Sequence, residues 1–161
     1  MSDFPFKQLY LRSSIGIAVV SPKDGTLLQS NPALCQMFGY AEEDLLNINY
    51  LDLVYPEDKT NNDHSVILND LLAEPGTALE KERRFLRKDG EIIWVAQHIF
   101  LIYQENSSEP YVLISELTDI TDRKLAEQKI QEDEHLYNLI TQNTPDMISF
   151  GDPDGTLHYV S

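Results

Sequence analysis

The sequence predicts an α+β domain with a five-stranded antiparallel sheet, helices on one face of that sheet, and a further helix at the C-terminal end. Two observations predict this fold. Apolar runs of strand length, bounded by turns that contain Gly or Pro, occur twice before residue 31 and three times after residue 77. Helical spacing of apolar residues is found between these two groups and again after residue 121.

The first two strands form a hairpin over residues 15–21 and 26–30, in which Gly25 supplies the positive φ that the turn requires. A helix follows directly. Asn31 is its predicted N-cap, the proline after it occupies the first turn, and Gly39 ends the helix.

The middle of the chain is predicted to be helical. Short helical turns cover residues 41–46 and 51–54, and a longer helix capped by Asp58 extends to residue 73. The apolar residues of this longer helix are spaced to form one buried face: Ile67, Leu68, Leu71 and Leu72.

Three strands, over residues 78–87, 91–103 and 111–118, complete the sheet. The longest strand is apolar on both faces, with Ile93, Val95, Ile99 and Leu101 on one face and Ile92, Trp94, Phe100 and Ile102 on the other. Such a strand must be covered twice. We expect the helices to cover one face, and residues 4–11, a second protomer or both to cover the other.

An internal repeat sets the domain boundaries. A shift of 130 residues aligns the sequence DGTL at 154–157 with DGTL at 24–27. The second copy lacks about 90 residues that follow in the first, so we expect it to be disordered or to borrow a sheet edge from a neighbour. The predicted segments are an N-terminal helical segment (1–12), a complete domain (13–121), a helical connector (122–143) and the truncated start of a second domain (144–161).

Composition excludes several classes of partner and chemistry. Twelve Lys and Arg against 27 Asp and Glu give a net charge of −15, which disfavours nucleic acid and anionic membrane surfaces. The sequence shows no signal peptide and no apolar run of membrane-spanning length, so we expect a cytoplasmic location. The single cysteine, Cys35, excludes an internal disulfide and a Cys-rich metal site.

Short motifs in a characteristic order identify a family. They are FGY at 38–40, YPED at 55–58, ERR at 82–84, RKDG at 87–90 with the tryptophan at 94, and DITDR at 119–123. Together they resemble the PAS family over residues 12–124, and residues 136–161 resemble the start of another PAS unit. The sequence NTPDMI at 143–148 is similar to tandem PAS sensors found upstream of bacterial histidine kinases.

The resemblance implies a sensory input module without catalytic residues of its own. PAS units enclose a small cavity between sheet and helices, and report its occupancy or a partner's state to an output domain of the same chain. A histidine kinase in two-component signalling is the output expected here, and a diguanylate cyclase is the alternative. The residues agree, because the sequence has no phosphate-binding Gly loop and no nucleophile with a matching base.

The cavity and the possible cofactors follow from the same resemblance. The candidates for lining the cavity are Ile17, Val19, Phe38, His64, Ile67, Leu68, Leu71, Phe85, Val95 and Ile99. No cofactor is required by the sequence. His64 lies where haem-binding PAS sensors place their proximal ligand, although a partly exposed structural histidine is the more common situation. A flavin adduct is not expected, because Cys35 does not lie in an Asn-Cys-Arg motif.

Relay and dimer contacts are the remaining predictions. Asp119 and Thr121 link the last strand to the exit helix, and Glu82 and Arg123 are a candidate ion pair there. Apolar residues of the connector are spaced as in a two-helix seam: Ala126, Ile130, Tyr137 and Ile140. The candidates for a homodimer face are Phe6, Leu9, Trp94 and Phe100.

Three functions therefore remain open from the sequence. The first is a sensor that binds a small organic ligand and shifts a dimeric helix between two arrangements. The second is a ligand-free module for dimerisation or partner docking. The third is a haem-based gas or redox sensor.

Overall fold

The computed structural model describes residues 4–60, 63–143, 148–151 and 157–160. The chain forms two compact units, Met1–Thr121 and Asp122–Ser161. The helices are α1 Phe4–Arg12, α2 Pro32–Phe38, α3 Glu42–Leu45, α4 Asp63–Ala73 and α5 Thr121–Asn143, with short 3₁₀ turns at Tyr50–Asp52 and Pro56–Asp58. The strands are β1 Gly16–Val20, β2 Leu27–Ser30, β3 Ala78–Leu86, β4 Ile92–Tyr103, β5 Pro110–Asp119, β6 Ile148–Gly151 and β7 Leu157–Val160.

The first unit contains the predicted five-stranded antiparallel sheet, in the order β2-β1-β5-β4-β3. The hairpin β1–β2 thus joins the other three strands through β5, which pairs with both β1 and β4. Helices α2, α3 and α4 bury apolar side chains against one face of this sheet, here called the inner face. The fold class predicted from the sequence is confirmed.

Asn31 explains why the hairpin and the first helices stay together. Its side chain is fully buried and accepts hydrogen bonds from the backbone N–H groups of Ile17 and Leu34. It donates to the backbone oxygens of Tyr10 and Ile15. One amide therefore caps α2 and ties it to α1 and β1, and it leaves no part of this buried polar group unpaired.

The helix predicted over residues 58–73 is shorter than expected. Asp58 closes a 3₁₀ turn and does not cap α4, which begins at Asp63. The reason is tertiary. The Asp58 carboxylate is bound by the backbone and side chain of Arg84 on β3, so it is not available to cap a helix.

Strand β4 alternates as predicted. Ile93, Val95 and Ile99 are buried on the inner face. On the opposite face, here called the outer face, Ile92 and Ile102 each remain 43% exposed. The outer face is therefore apolar and open to solvent on β4.

The N-terminal helix does not provide the cover that was expected for the outer face. Helix α1 packs beside α2 and borders the outer face at Ile17. Its apolar residues Phe6 and Leu9 are 63% and 68% exposed. A hydrogen bond from the Asn31 side chain to the Tyr10 carbonyl oxygen ties α1 to the start of α2.

The second unit consists of α5 and the hairpin of β6 with β7. Helix α5 has 23 residues, and its apolar side chains are exposed: Leu125, Ile130, Leu136, Tyr137, Leu139 and Ile140. Strands β6 and β7 pair with each other from Ile148 opposite Val160 to Gly151 opposite Leu157. These two strands satisfy the inner edges of a local hairpin. The expectation that residues 144–161 are disordered or borrow a neighbour's edge stays a prediction, and residues 144–147, 152–156 and 161 lie outside the described part of the chain.

Within the described ranges, no helix combines the length and the apolar character that crossing a bilayer requires.

Candidate functional site

A narrow cavity of about 20 Å³ lies between the helices and the inner face of the sheet. Its walls are almost entirely apolar, and the polar side chains among them are Tyr50, Gln97 and Ser115. One water molecule needs roughly 10–15 Å³ by this measure. The cavity in this conformation therefore has room for one water molecule and not for an organic ligand.

Several predicted cavity residues lie at this position. Phe38, Ile67, Phe85 and Ile99 line the cavity. Leu71 and Val95 are buried in the core around it, and Leu68 is half-buried on α4. Whether these residues bind a ligand stays a prediction.

The assignment of Ile17 and Val19 to the cavity is wrong. Strand β1 turns Ala18 and Val20 toward the cavity, so Ile17 and Val19 lie on the outer face. Every residue of β1 after the glycine is apolar, so alternation in the sequence could not distinguish its two faces.

His64 lies in the first turn of α4 and is held by two other segments. Its Nε2 is 2.9 Å from the carbonyl oxygen of Pro22, and its Nδ1 is 3.3 Å from the Tyr50 hydroxyl. A carbonyl only accepts, so Nε2 donates to Pro22 and Nδ1 accepts from Tyr50. Both ring nitrogens are thus engaged by protein groups, and this arrangement disfavours His64 as a proximal haem ligand.

Tyr50 itself is nearly buried beside the cavity. Burial raises the pKa of its hydroxyl to about 12, and the nearby Asp63 carboxylate adds to this effect against the opposing influence of Arg83. The hydroxyl therefore stays protonated and donates to His64 at neutral pH.

A buried polar chain crosses the inner face from α4 to β5. Arg83 on β3 donates from Nη1 to the Asp63 carboxylate at 2.5 Å and from Nε to Gln97 at 2.8 Å. Gln97 on β4 donates to the Ser115 hydroxyl on β5 at 3.1 Å. These four side chains are 3% to 6% exposed. The chain thus connects the start of α4 to the strand that leads into the exit helix.

Sequence reasoning missed this polar chain. In the sequence, Arg83 stands out only as part of a family motif, because a charged residue in a strand is usually solvated. It lies two positions before Phe85, which was assigned to the cavity, and strand alternation would have placed Arg83 on the same face. The spacing of two residues between Arg83 and Phe85 is therefore the sequence signal that could have predicted a buried Arg83.

The outer face carries an apolar row beside an acidic row. Phe100, Ile114 and Val19 lie opposite one another on β4, β5 and β1. In the adjacent row, His98 lies between Glu80 and Glu116, and its Nδ1 is 3.1 Å from a carboxylate oxygen of Glu116. Of the predicted dimer candidates, Trp94 and Phe100 lie on this face, while Phe6 and Leu9 are on α1.

Arg84 forms a second charged cluster on the outer face. Its Nη2 is 2.6 Å from the Asp58 carboxylate, which also accepts from the Arg84 backbone at 2.7 Å. Its guanidinium lies 4.4 Å from the centre of the Tyr55 ring and 5.7 Å from that of Trp94. The hydrogen bonds from Arg84 hold the pKa of the Asp58 carboxyl below its usual value.

The exit from the sheet is tied to β4. The backbone N–H of Trp94 donates to the Thr121 hydroxyl at 3.1 Å, and the N–H of Ile120 donates to the Trp94 carbonyl at 2.9 Å. Thr121 in turn donates to the Asp119 carboxylate from its backbone and its hydroxyl. Asp119 and Thr121 thus hold the first residue of α5 against the backbone of Trp94 on β4. The ion pair between Glu82 and Arg123 stays a prediction.

The described residues hold no group of three or more His, Cys, Asp or Glu side chains arranged to bind a metal ion. Cys35 is half-buried in α2, with its sulfur 3.4 Å from the Ser30 hydroxyl.

Comparison with known proteins agrees with this architecture. The model of the PAS domain family matches residues 14–122. A probable diguanylate cyclase of Escherichia coli K12, DgcE, is 30% identical over 131 residues, and the sensor histidine kinase TmoS of Ectopseudomonas mendocina is 29% identical over 131 residues. Each match covers 81% of this chain but only 12% and 13% of the respective relative.

Solved structures show the same fold at low sequence identity. The PAS domain of an HTR-like protein from Haloarcula marismortui is 21% identical with a TM-score of 0.63, over 73% of this chain and 91% of that chain. An RNA-binding light-oxygen-voltage receptor is 21% identical with a TM-score of 0.68, over 82% of this chain and 37% of that one. With the family match across the five-stranded sheet, these findings show that the chain belongs to the PAS domain family, whose members are sensory modules.

Proposed function

We propose that residues 13–121 form an input module that dimerises through its outer sheet face and passes its state through α5 to an output domain. The observation that carries this proposal is the contrast between the two faces. The inner face is packed to a residual cavity of about 20 Å³, whereas the outer face carries a half-buried apolar row and, on β4, Ile92 and Ile102, which are each 43% exposed. An exposed apolar surface of this kind is typical of a protein contact site.

A second copy of the chain is the partner that we propose. The apolar row can pack against its own equivalent around a two-fold axis, as in most homodimers. The acidic row of Glu80 and Glu116 would repel its equivalent, so the two acidic rows must lie away from each other in the dimer. This requirement orients the two copies.

The output domain is proposed from the relatives. One is described as a probable diguanylate cyclase and the other as a sensor histidine kinase, and the matched region is a small part of each. We favour a histidine kinase, with a diguanylate cyclase as the alternative. The hydrogen bonds that join Trp94, Asp119 and Thr121 are the contacts through which a change in the sheet would reach α5.

The dimer contact is tested with one charge placed on each side of the molecule. Ile102→Glu puts a carboxylate on the outer face, and Val66→Glu puts one on α4, where Val66 is 46% exposed against 43% for Ile102. Sedimentation velocity should find a dimer for the wild type and for Val66→Glu, and a monomer for Ile102→Glu. An Ile102→Glu variant that dimerises as well as the wild type would contradict the proposal.

The relay is tested by hydrogen exchange. Thr121→Val removes the acceptor for the Trp94 N–H and a donor to Asp119. The backbone amides in the first turn of α5 should then exchange faster, while those of α2 should be unchanged. If the amides in the first turn of α5 exchange at the same rate in Thr121→Val and in the wild type, Thr121 does not take part in the proposed relay from the sheet to α5.

A further inference from the structure

The inner face contains a buried ion pair that packing alone does not explain. Asp63 and Arg83 are 3% and 6% exposed and are joined at 2.5 Å. Desolvation of a buried pair commonly cancels its Coulomb attraction, and apolar residues of similar volume are often equally stabilising. The pair therefore points to a role other than stability.

Arg83 has binding capacity that the protein does not use. Its Nε and Nη1 are paired with Gln97 and Asp63, but its buried Nη2 has no hydrogen-bond partner among the described residues. Buried N–H groups without a partner are rare in folded proteins. Each guanidinium can hold a carboxylate through two parallel hydrogen bonds, and Asp63 accepts only one.

Arg83 is not itself part of the cavity wall, but its guanidinium lies against side chains that are. The guanidinium carbon is 5.5 Å from the centre of the Phe85 ring and 6.0 Å from that of Tyr50. Phe85, Tyr50 and Gln97 all line the cavity. A ligand with an anionic end and a short apolar body would thus meet Arg83 at one end and apolar walls around the rest.

We infer that Arg83 anchors a small aliphatic monocarboxylate, and that Asp63 is an internal carboxylate which this ligand displaces. The ligand would accept from two guanidinium nitrogens where Asp63 accepts from one. The exchange replaces one buried anion by another, so the buried charge of Arg83 stays neutralised. The released Asp63 would regain water, and its other oxygen already lies 3.6 Å from Lys81 Nζ, a side chain that is 33% exposed.

The size of the ligand follows from the space that the exchange provides. The cavity of about 20 Å³ is too small alone, but the side chain of Asp63 is itself a methylene and a carboxylate, as in acetate. Its departure makes room for an acid of about two to four carbons. Because Asp63 is the first residue of α4, binding would also alter the start of that helix.

The experiment uses the full 161-residue chain and sodium propionate as the probe. Isothermal titration should show saturable binding with a Kd of about 1 mM, which is reasonable for five heavy atoms. Propionamide, which has the same shape without the charge, and sodium chloride at equal ionic strength should not bind. Saturable binding of propionamide equal to that of propionate would overturn the role of the carboxylate.

Two variants test the roles of the pair. Asp63→Asn removes the competing anion and should tighten propionate binding about tenfold or more, since Arg83 is then unpaired. The double variant Asp63→Leu with Arg83→Met replaces the pair by apolar residues and should fold but not bind. If the wild type shows no saturable binding up to ~50 mM, or if the folded double variant binds as the wild type does, the inference is wrong.

The double variant also protects the test against misfolding, because its folding does not depend on an unpaired buried charge. Ile102→Glu changes the outer face only, so propionate binding by that variant separates this inference from the proposed dimer contact.

Discussion

Arg83 and Arg84 are neighbours on β3, and strand alternation turns them to opposite faces of the sheet. Each binds one aspartate, at 2.5 Å for Arg83 with Asp63 and 2.6 Å for Arg84 with Asp58. The inner pair is 6% and 3% exposed, whereas the outer pair is 29% and 16% exposed. Asp63 accepts one hydrogen bond from Arg83, whereas Asp58 accepts three from Arg84. The shortest distances are thus similar but the surroundings differ, and we expect burial to decide what each pair contributes to stability.

The same contrast holds for the apolar side chains of the two faces. Ile99 on the inner face is almost completely buried, and Ile102 on the outer face is 43% exposed. An isoleucine on the inner face stabilises the fold of one protomer. Ile102 on the outer face still has 43% of its surface available for burial by a partner.

The largest expected effect is the difference in stability lost when each of the two arginines is replaced by alanine. Arg83→Ala removes the buried partner of Asp63 and leaves this buried charge with the more distant Lys81, 3.6 Å away and 33% exposed, so it should lower the free energy of unfolding by about 3–5 kcal/mol. Arg84→Ala leaves Asp58 close to water, where solvent screens its charge, and should cost clearly less than Arg83→Ala. Urea unfolding of both variants measures the difference, and equal losses would contradict the comparison.

A smaller difference in stability is expected when each of the two isoleucines is replaced by alanine. Ile99→Ala creates a cavity in a packed core and should cost about 2–5 kcal/mol. Ile102→Ala should cost less than about 1 kcal/mol in the monomer, because its side chain is already half in water. Thermal unfolding at low protein concentration, where a dimer would dissociate, provides the test; a larger loss for Ile102→Ala would reverse the assignment of the faces.

The inner face should also lose stability at alkaline pH. The pKa of Tyr50 is about 12 in the folded chain, against about 10 in an unfolded one. The unfolded state therefore loses its proton first, and stability should fall by about 2 kcal/mol as the pH rises from 10 to 12. Tyr10, whose pKa burial also raises to about 12, acts in the same direction.

Two tyrosine variants check this alkaline effect. Tyr50→Phe should lose less stability than the wild type between pH 10 and 12 when urea midpoints are compared. Tyr111→Phe changes a side chain that is 66% exposed and should keep the wild-type loss. An identical alkaline profile for Tyr50→Phe would show that its burial is not responsible.

The smallest effect belongs to the outer pair at acid pH. The pKa of Asp58 is lowered in the folded state, so its contribution is present above the unfolded value of about 4 and is lost as the pH falls through the folded pKa. Asp58→Asn should therefore show a shallower decrease of melting temperature between pH 5 and about 2 than the wild type. A steeper decrease for Asp58→Asn would mean that the sign is wrong.

Local patterns predicted most of the fold correctly. Asn31 and Gly39 marked the ends of α2, and the alternation along β4 separated Ile99 from Ile102. Errors occurred where two segments distant in sequence meet. Asp58 was expected to cap a helix, but Arg84 binds it from β3. Ile17 was placed in the cavity because a strand that is apolar on both faces does not reveal which one is inner.

The sequence by itself determined the elements, their order and the family, because propensity, capping and alternation act over a few neighbouring residues. Only the tertiary structure decided that Arg83 meets Asp63 inside the protein and that the cavity is nearly filled. Burial and pairing depend on contacts between segments 20 or more residues apart, such as Asp63 with Arg83. Local preferences do not contain that information.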